Sequence, residues 1–149
     1  MIIRPARDSE RPALADLWLR SVRATHTFLT EAEIQELYPL VRDQALVGLE
    51  VWVLEADGAA IGFLGLADAK LEALFLDPAH FRRGGGRLLV DHARQLKGPL
   101  TVDVNEQNPE AVRFYEALGF RIVGRSEVDS AGRPFPLLHL SEAPPGGPR

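Results

Sequence analysis

Leu74-Phe75-Leu76-Asp77-Pro78-Ala79-His80-Phe81-Arg82-Arg83-Gly84-Gly85-Gly86-Arg87 runs from an apolar stretch through a proline stop into three consecutive glycines. Leu88, Leu89, His92, Ala93 and Leu96 follow at helical spacing, so the whole reads as strand, turn, helix with glycines at the junction. Glycine at such a junction lets the backbone approach a ligand closely, and the free N–H groups of a helix's first turn point at whatever lies there. Phosphate oxygens match that field, and Arg82, Arg83 and Arg87 add positive charge to the helix dipole. A P-loop requires Gly-Lys-Ser/Thr where Gly86-Arg87-Leu88 stands, which disfavours nucleotide hydrolysis. The dinucleotide fingerprint requires a small residue where Leu89 stands, which disfavours a nicotinamide or flavin. Taken alone, the segment is either a phosphate cradle or a glycine- and arginine-rich loop without a ligand.

Upstream of this stretch, Ile2-Ile3-Arg4 before Pro5 suits a first strand. Asp8 or Ser9 can cap a helix whose stripe is Leu14, Leu17, Trp18, Ser21 and Val22. Thr30 and Glu33 have capping-box spacing ahead of a second helix carrying Ile34, Leu37, Tyr38 and Val41, which Pro39 should kink or divide. Residues 51–56 and 60–66 read as strands joined by an Asp57-Gly58 type I′ turn, and residues 71–77 as a third. Leu100–Val104 is a strand, Asn108-Pro109-Glu110 opens a helix that ends before Gly119, and 120–128 with 135–140 form a closing hairpin. Pro134 and Pro136 place its last strand at an edge. The order β, α, α, β, β, β, α, β, α, β, β predicts an α/β fold: one mixed, mostly antiparallel sheet of about seven strands, with about four helices divided between its faces.

The length of 149 residues suits one domain, here 1–142, with a disordered Pro/Gly-rich tail over 143–149. Zero cysteines exclude disulfides, thiolate metal sites and a cysteine nucleophile, and four scattered histidines give no metal-ligand spacing. A net charge of −4 supplies no global field for nucleic acid or an anionic membrane. No secretory h-region or membrane-length apolar run is present, so the expected setting is the cytoplasm.

Asn108-Pro109-Glu110-Ala111-Val112-Arg113-Phe114-Tyr115 puts a phenol two helical turns after an N-terminal amide, on the same helix face. With Leu74-Phe75-Leu76-Asp77-Pro78 and the glycine run, this resembles the GCN5-related N-acetyltransferase (GNAT) superfamily over nearly the whole chain. Ser21 to Leu29, Val104 to Asn108, Gly124 to Asp129 and Gly132-Arg133-Pro134 resemble, more specifically, the bacterial YjaB-type acetyltransferases.

The resemblance implies an acetyl-CoA-dependent N-acetyltransferase acting on a primary amine of a small molecule or peptide, with no metal. The pyrophosphate loop of the family falls on Phe81, Arg82, Arg83, Gly84, Gly85, Gly86 and Arg87. Gly84 and Gly86 match its pattern and Phe81 departs from it, since a phenyl ring cannot donate to phosphate. Leu74, Phe75 and Leu76 match the strand whose backbone pairs with the pantetheine arm, Asn108 the residue that bonds that arm, and Tyr115 the general acid near the sulfur. Glu72 is the first candidate base and His26 the second; Asp103 and Asn105 flank the pantetheine site. His80, His92 and His139 show no partner by spacing, with His80 expected exposed. A non-catalytic CoA-binding sensor is the alternative, and the oligomeric state stays open between monomer and homodimer.

Overall fold

A computed structural model describes residues 1–142; the tail expected over 143–149 lies outside the described residues. The chain forms β1 (Ile2–Pro5), α1 (Arg11–Thr25), α2 (Glu31–Leu40), a single-turn α3 (Leu46–Gly48), β2 (Glu50–Ala56), β3 (Ala59–Ala67) and β4 (Lys70–Leu76). There follow α4 (Gly85–Lys97), β5 (Thr101–Asn105), α5 (Pro109–Ala117), β6 (Arg121–Ser126) and β7 (Leu137–Ser141). All seven strands lie in one sheet of order β1-β2-β3-β4-β5-β7-β6. Every pairing is antiparallel except β4 with β5.

Strand alternation sends neighbouring residues to opposite layers. Val53 and Phe63 pack beneath Leu14, Leu17, Trp18 and Val22 of α1 and Ile34 of α2. Leu54 and Leu64 pack against Leu89, Val90 and Ala93 of α4 and Tyr115 of α5. Burying each such Leu or Phe side chain contributes roughly 1.5–3 kcal/mol, so both helix layers are held mainly by apolar burial. The hairpin turn forms as its sequence dictates, with φ of 52° at Asp57 and 78° at Gly58, and Ala56 opposite Ala59.

Three local expectations change, and a fourth takes a specific form. Neither Asp8 nor Ser9 caps α1: residues 8–10 form a 3-10 turn, and Glu10 accepts the Arg7 N–H at 2.8 Å while its carboxylate binds Arg4 at 2.8 and 2.7 Å. At Pro39 the helix is divided as expected, the break in α-type bonding falling just after the proline. Its missing N–H cannot serve the Gln35 carbonyl, and a π-type segment over Val41–Ala45 resumes bonding, Leu46 N–H to Val41 O, into α3. The helix after the glycines begins at Gly85 rather than at Leu88. Finally, β7 is interior, between β5 and β6; Pro134 and Pro136 precede its first residue and interrupt no ladder, and the edges are β1 and β6.

Candidate active site

The parallel pair is short: Lys70 lies opposite Thr101 and Leu71 opposite Val102, after which β4 stays with β3 while β5 follows β7. The strands part into a V of about 180 Å³, walled by Glu72 to Phe75, by Val102 to Asn105, and by Asn108, Ala111 and Tyr115 of α5. Glu72 sits where the register slips, since Leu71 faces Leu66 and Ala73 faces Gly65, making Glu72 the extra residue of a bulge. A bulge bends its strand and re-aims the side chain it carries. Beyond the V a cleft of about 380 Å³ lies between α1, α2 and the loop 127–136. His26, Leu71, Glu72, Phe75, Asp103 and Asn105 line both spaces, so one groove crosses the sheet at the splay.

Asn108 caps α5 with Oδ1 accepting the Ala111 N–H at 3.3 Å, which leaves its Nδ2 as a donor toward the V. Asn108, Ala111 and Tyr115 share the helix face that closes the groove, as their spacing predicts. Tyr115 is 6% exposed, held edge-on by Phe114 at 5.0 Å and Phe120 at 5.2 Å between centroids. Burial raises the Tyr115 pKa above the usual phenol range, so the group is protonated at neutral pH.

The loop after β4 is fixed from both ends. Asp77 Oδ1 accepts the Ala79 N–H at 3.1 Å, and Oδ2 accepts from Arg20 of α1 at 2.8 Å. Arg82 and Gly84 take left-handed φ of 64° and 81°. A Cβ on Gly85 would stand 2.8 Å from Leu54 Cδ2, and one on Gly86 3.0 Å from Phe114 Cζ, so these two glycines let α4 sit close to the sheet and to α5. No side chain caps the first turn of α4, and its first N–H bonded to Gly84 O is that of Leu88, at 3.1 Å. Arg82, Arg83 and Arg87 are exposed and have no carboxylate partner among the described residues, whereas Arg20, Arg23 and Arg125 each hold one and Arg4 holds two. Phe81 is half-buried. Leu74, Phe75 and Leu76 are half-buried on the strand that walls the V.

His26, at the end of α1, is enclosed by Phe28 and Phe75 with ring centroids at 5.4 and 6.3 Å. Thr25 Oγ1 lies 2.8 Å from the Ser21 carbonyl and 2.8 Å from His26 Nδ1. The hydroxyl has one proton and gives it to the carbonyl, so Nδ1 donates and Nε2 carries the lone pair. Burial pushes the His26 pKa down to about 4, so the ring is neutral through the physiological range. Glu72 is exposed, 3.4 Å from Lys70 Nζ.

A polar chain not legible in the sequence crosses the sheet beside the cleft. Asp103 Oδ2 binds Lys70 Nζ at 2.9 Å, Asp103 Oδ1 binds His139 Nδ1 at 2.7 Å, and His139 Nε2 lies 2.7 Å from Ser126 Oγ. Burial raises the Asp103 pKa, but the His139 and Lys70 hydrogen bonds outweigh it and hold the carboxyl below its usual range. The chain depends on β5, β7 and β6 lying side by side, with Asp103 opposite His139 and His139 opposite Gly124, which linear spacing does not encode. His139 is thus partnered, and His80 is half-buried rather than exposed, with Nδ1 lacking a partner among the described residues. His92 packs on Trp52 at 4.4 Å. Asp129 Oδ1 accepts the N–H groups of Ala131 and Arg133 at 3.0 and 2.8 Å, so this turn, with Asp129, Ser130 and Arg133, forms the cleft's far wall; Arg125 pairs with Glu106 at 2.7 Å.

Among the described residues no group of three or more His, Asp or Glu side chains is placed to hold a metal ion, and no helix is long and apolar enough to cross a membrane. Residues 48–122 match the acetyltransferase (GNAT) domain family. The chain is 46% identical over 139 residues to the peptidyl-lysine N-acetyltransferase YjaB of Salmonella typhimurium, a span of 93% of this chain and 95% of that protein. It is 44% identical over 140 residues to its Escherichia coli namesake, again 93% and 95% of the two chains. The solution structure of apo-form YjaB from Escherichia coli superposes with a TM-score of 0.87 at 43% identity, covering 95% of this chain and 98% of that one. The splayed parallel pair, the glycine-led helix and the Asn108/Tyr115 face thus sit in a chain that belongs to the GNAT acetyltransferase family.

Proposed function

We propose that this N-acetyltransferase takes its acetyl group from acetyl-CoA and delivers it to the side-chain amine of a peptide or protein lysine. The observation that carries this reading is the groove through the splay, in which the V bordered by β4, Asn108 and Tyr115 shares His26, Glu72, Phe75 and Asp103 with an aromatic and acidic cleft. The uncapped first turn of α4 and the unpartnered Arg82, Arg83 and Arg87 fit the phosphates of CoA, with arginines supplying the charge that Phe81 cannot. The side of β4 that has left β5 offers backbone groups to an extended amide arm as an added strand would, and Asn108 Nδ2 gives it a side-chain donor. Acetyl-CoA supplies an acyl group activated as a thioester.

Phe28 and Phe135, with ring centroids 5.7 Å apart, suit the aliphatic stem of a lysine, while Glu72 and Asp103 face its ammonium. Glu72 takes the amine proton, and the neutral His26 Nε2 accepts a hydrogen bond that orients the amine. Tyr115 donates its proton to the departing thiolate, and an N–H of the Leu74–Leu76 strand polarises the carbonyl. A lysine acceptor is further supported by the relatives named as peptidyl-lysine N-acetyltransferases. The reading goes with a cytoplasmic setting, where acetyl-CoA is available, and with a monomer or homodimer.

The test is CoA thiol release with acetyl-CoA and matched peptides containing lysine, arginine or norleucine at one position. Turnover is expected with lysine alone. Release no faster than spontaneous hydrolysis across the lysine peptides would refute the proposal.

A further inference from the structure

The chain carries 15 arginines and only two lysines, Lys70 and Lys97. Lys97 closes α4 and pairs with Glu50 at 2.8 Å. Lys70 instead lines the acceptor cleft, its Nζ 2.9 Å from Asp103 Oδ2 and 3.4 Å from Glu72 Oε1. An arginine there would be chemically inert toward acyl transfer; a lysine presents the same primary amine as the proposed substrate.

We propose that Lys70 occupies the acceptor-ammonium position of the enzyme's own cleft and is its site of self-acetylation. This rests on the lysine-acetyltransferase reading above. Asp103 lines both the cleft and the V that holds Tyr115, so an amine bound to it stands at the passage between the two. In the step, Lys70 gives one proton to Glu72 and thence to solvent, and its lone pair bonds to the acetyl carbon as the carbon–sulfur bond breaks. Tyr115 protonates the leaving thiolate, and the second proton shed by Nζ restores the phenol. The carboxylate bonds keep the Lys70 pKa above its ordinary value, so only a small neutral fraction attacks and the modification is slower than substrate turnover. Tethering in the cleft offsets part of that deficit through effective concentration.

Acetylation alters the cleft. The positive charge at Lys70 is lost, while Asp103 keeps its place because His139 still holds Oδ1 at 2.7 Å. Glu72 and Asp103 Oδ2 then stand open to an incoming ammonium, and the enzyme takes cationic peptides more readily after modifying itself.

The full chain is incubated with acetyl-CoA and followed by intact mass and peptide mapping, alongside the lysine peptide assay. One acetyl group is expected, on Lys70, at a rate independent of protein concentration and at least tenfold slower in Tyr115→Phe; Lys70→Arg should remain unmodified at position 70. A separate calorimetric titration without acetyl-CoA should show Lys70→Gln binding the lysine peptide about three- to tenfold more tightly than wild type at low ionic strength, with Lys70→Arg binding no more tightly than wild type. Modification of Lys97 at the same rate, a rate proportional to protein concentration, or equal rates in wild type and Tyr115→Phe would overturn the proposal. Peptide turnover with Lys70 left unmodified overturns it while sparing the lysine-acetyltransferase reading; absence of both reactions overturns both.

Discussion

Replacing Tyr115 by Phe separates what the residue does for the fold from what it does for chemistry. The ring is 6% exposed and wedged between Phe114 and Phe120, contacts that phenylalanine keeps in full. The hydroxyl has no hydrogen-bond partner among the described residues and borders the V. Its loss therefore strands no buried group, and the stability change should stay within about 0.5 kcal/mol, or roughly 2 °C in Tm for a chain of this size. Catalysis should respond very differently, because an unassisted thiolate departure forfeits the roughly 10²–10⁴-fold of a positioned general acid. Burial also holds the wild-type phenol protonated above its ordinary pKa near 10, so kcat should show no alkaline decline from this group up to about pH 10. Thermal unfolding and CoA release with a lysine peptide, measured on the same preparations, provide the comparison. A Tyr115→Phe enzyme with wild-type kcat would sink the general-acid assignment; one with Tm lowered by 10 °C would refute the claim that the hydroxyl carries no structural bond.

Further outcomes follow from the same geometry. Gly86→Ala places a Cβ 3.0 Å from Phe114 Cζ; better helix propensity offsets part of the overpacking, leaving about 1 kcal/mol of destabilisation by urea unfolding, while KM for acetyl-CoA rises several-fold as α4 and α5 are pushed apart. His26 has its folded pKa lowered from 6.5 to about 4, so protonation favours the unfolded chain: its share of stability is complete above pH 6.5 and is lost as pH falls toward 4. That share is about 3 kcal/mol at most, and NMR titration of the ring should show it neutral throughout the range 5–8. Glu10, lowered from 4.5 to about 2 chiefly by its hydrogen bond from Arg4, contributes above pH 4.5 and fails between 4.5 and 2; Glu10→Gln should flatten acid unfolding in that window alone. Glu72→Gln should lower kcat at least tenfold with little change in Tm, since the side chain is exposed and its partner Lys70 retains Asp103; an unchanged kcat would remove Glu72 as the base.

Local periodicity and backbone chemistry, both legible in the chain's residues, set one part of this architecture. The stripe Leu14, Leu17, Trp18, Ser21 and Val22 is buried as read, Asp57-Gly58 makes its turn, and Asn108 caps α5 so that Tyr115 falls on the face of the groove. These outcomes turn on residues a few positions apart, where spacing sets direction. The tertiary structure alone decided which strands are neighbours. It moved β7 inside the sheet, turned Glu72 out on a bulge, and brought Lys70, Asp103, His139 and Ser126 into one chain of hydrogen bonds from four separate strands. His26 is a similar case: its identity was legible, but its neutral state and tautomer come from burial against Phe75 and from Thr25, whose hydroxyl is committed to Ser21. Helices and turns satisfy their hydrogen bonds within a short segment, whereas a sheet satisfies them between segments distant in sequence, so the acceptor side of this site was settled by strand pairing.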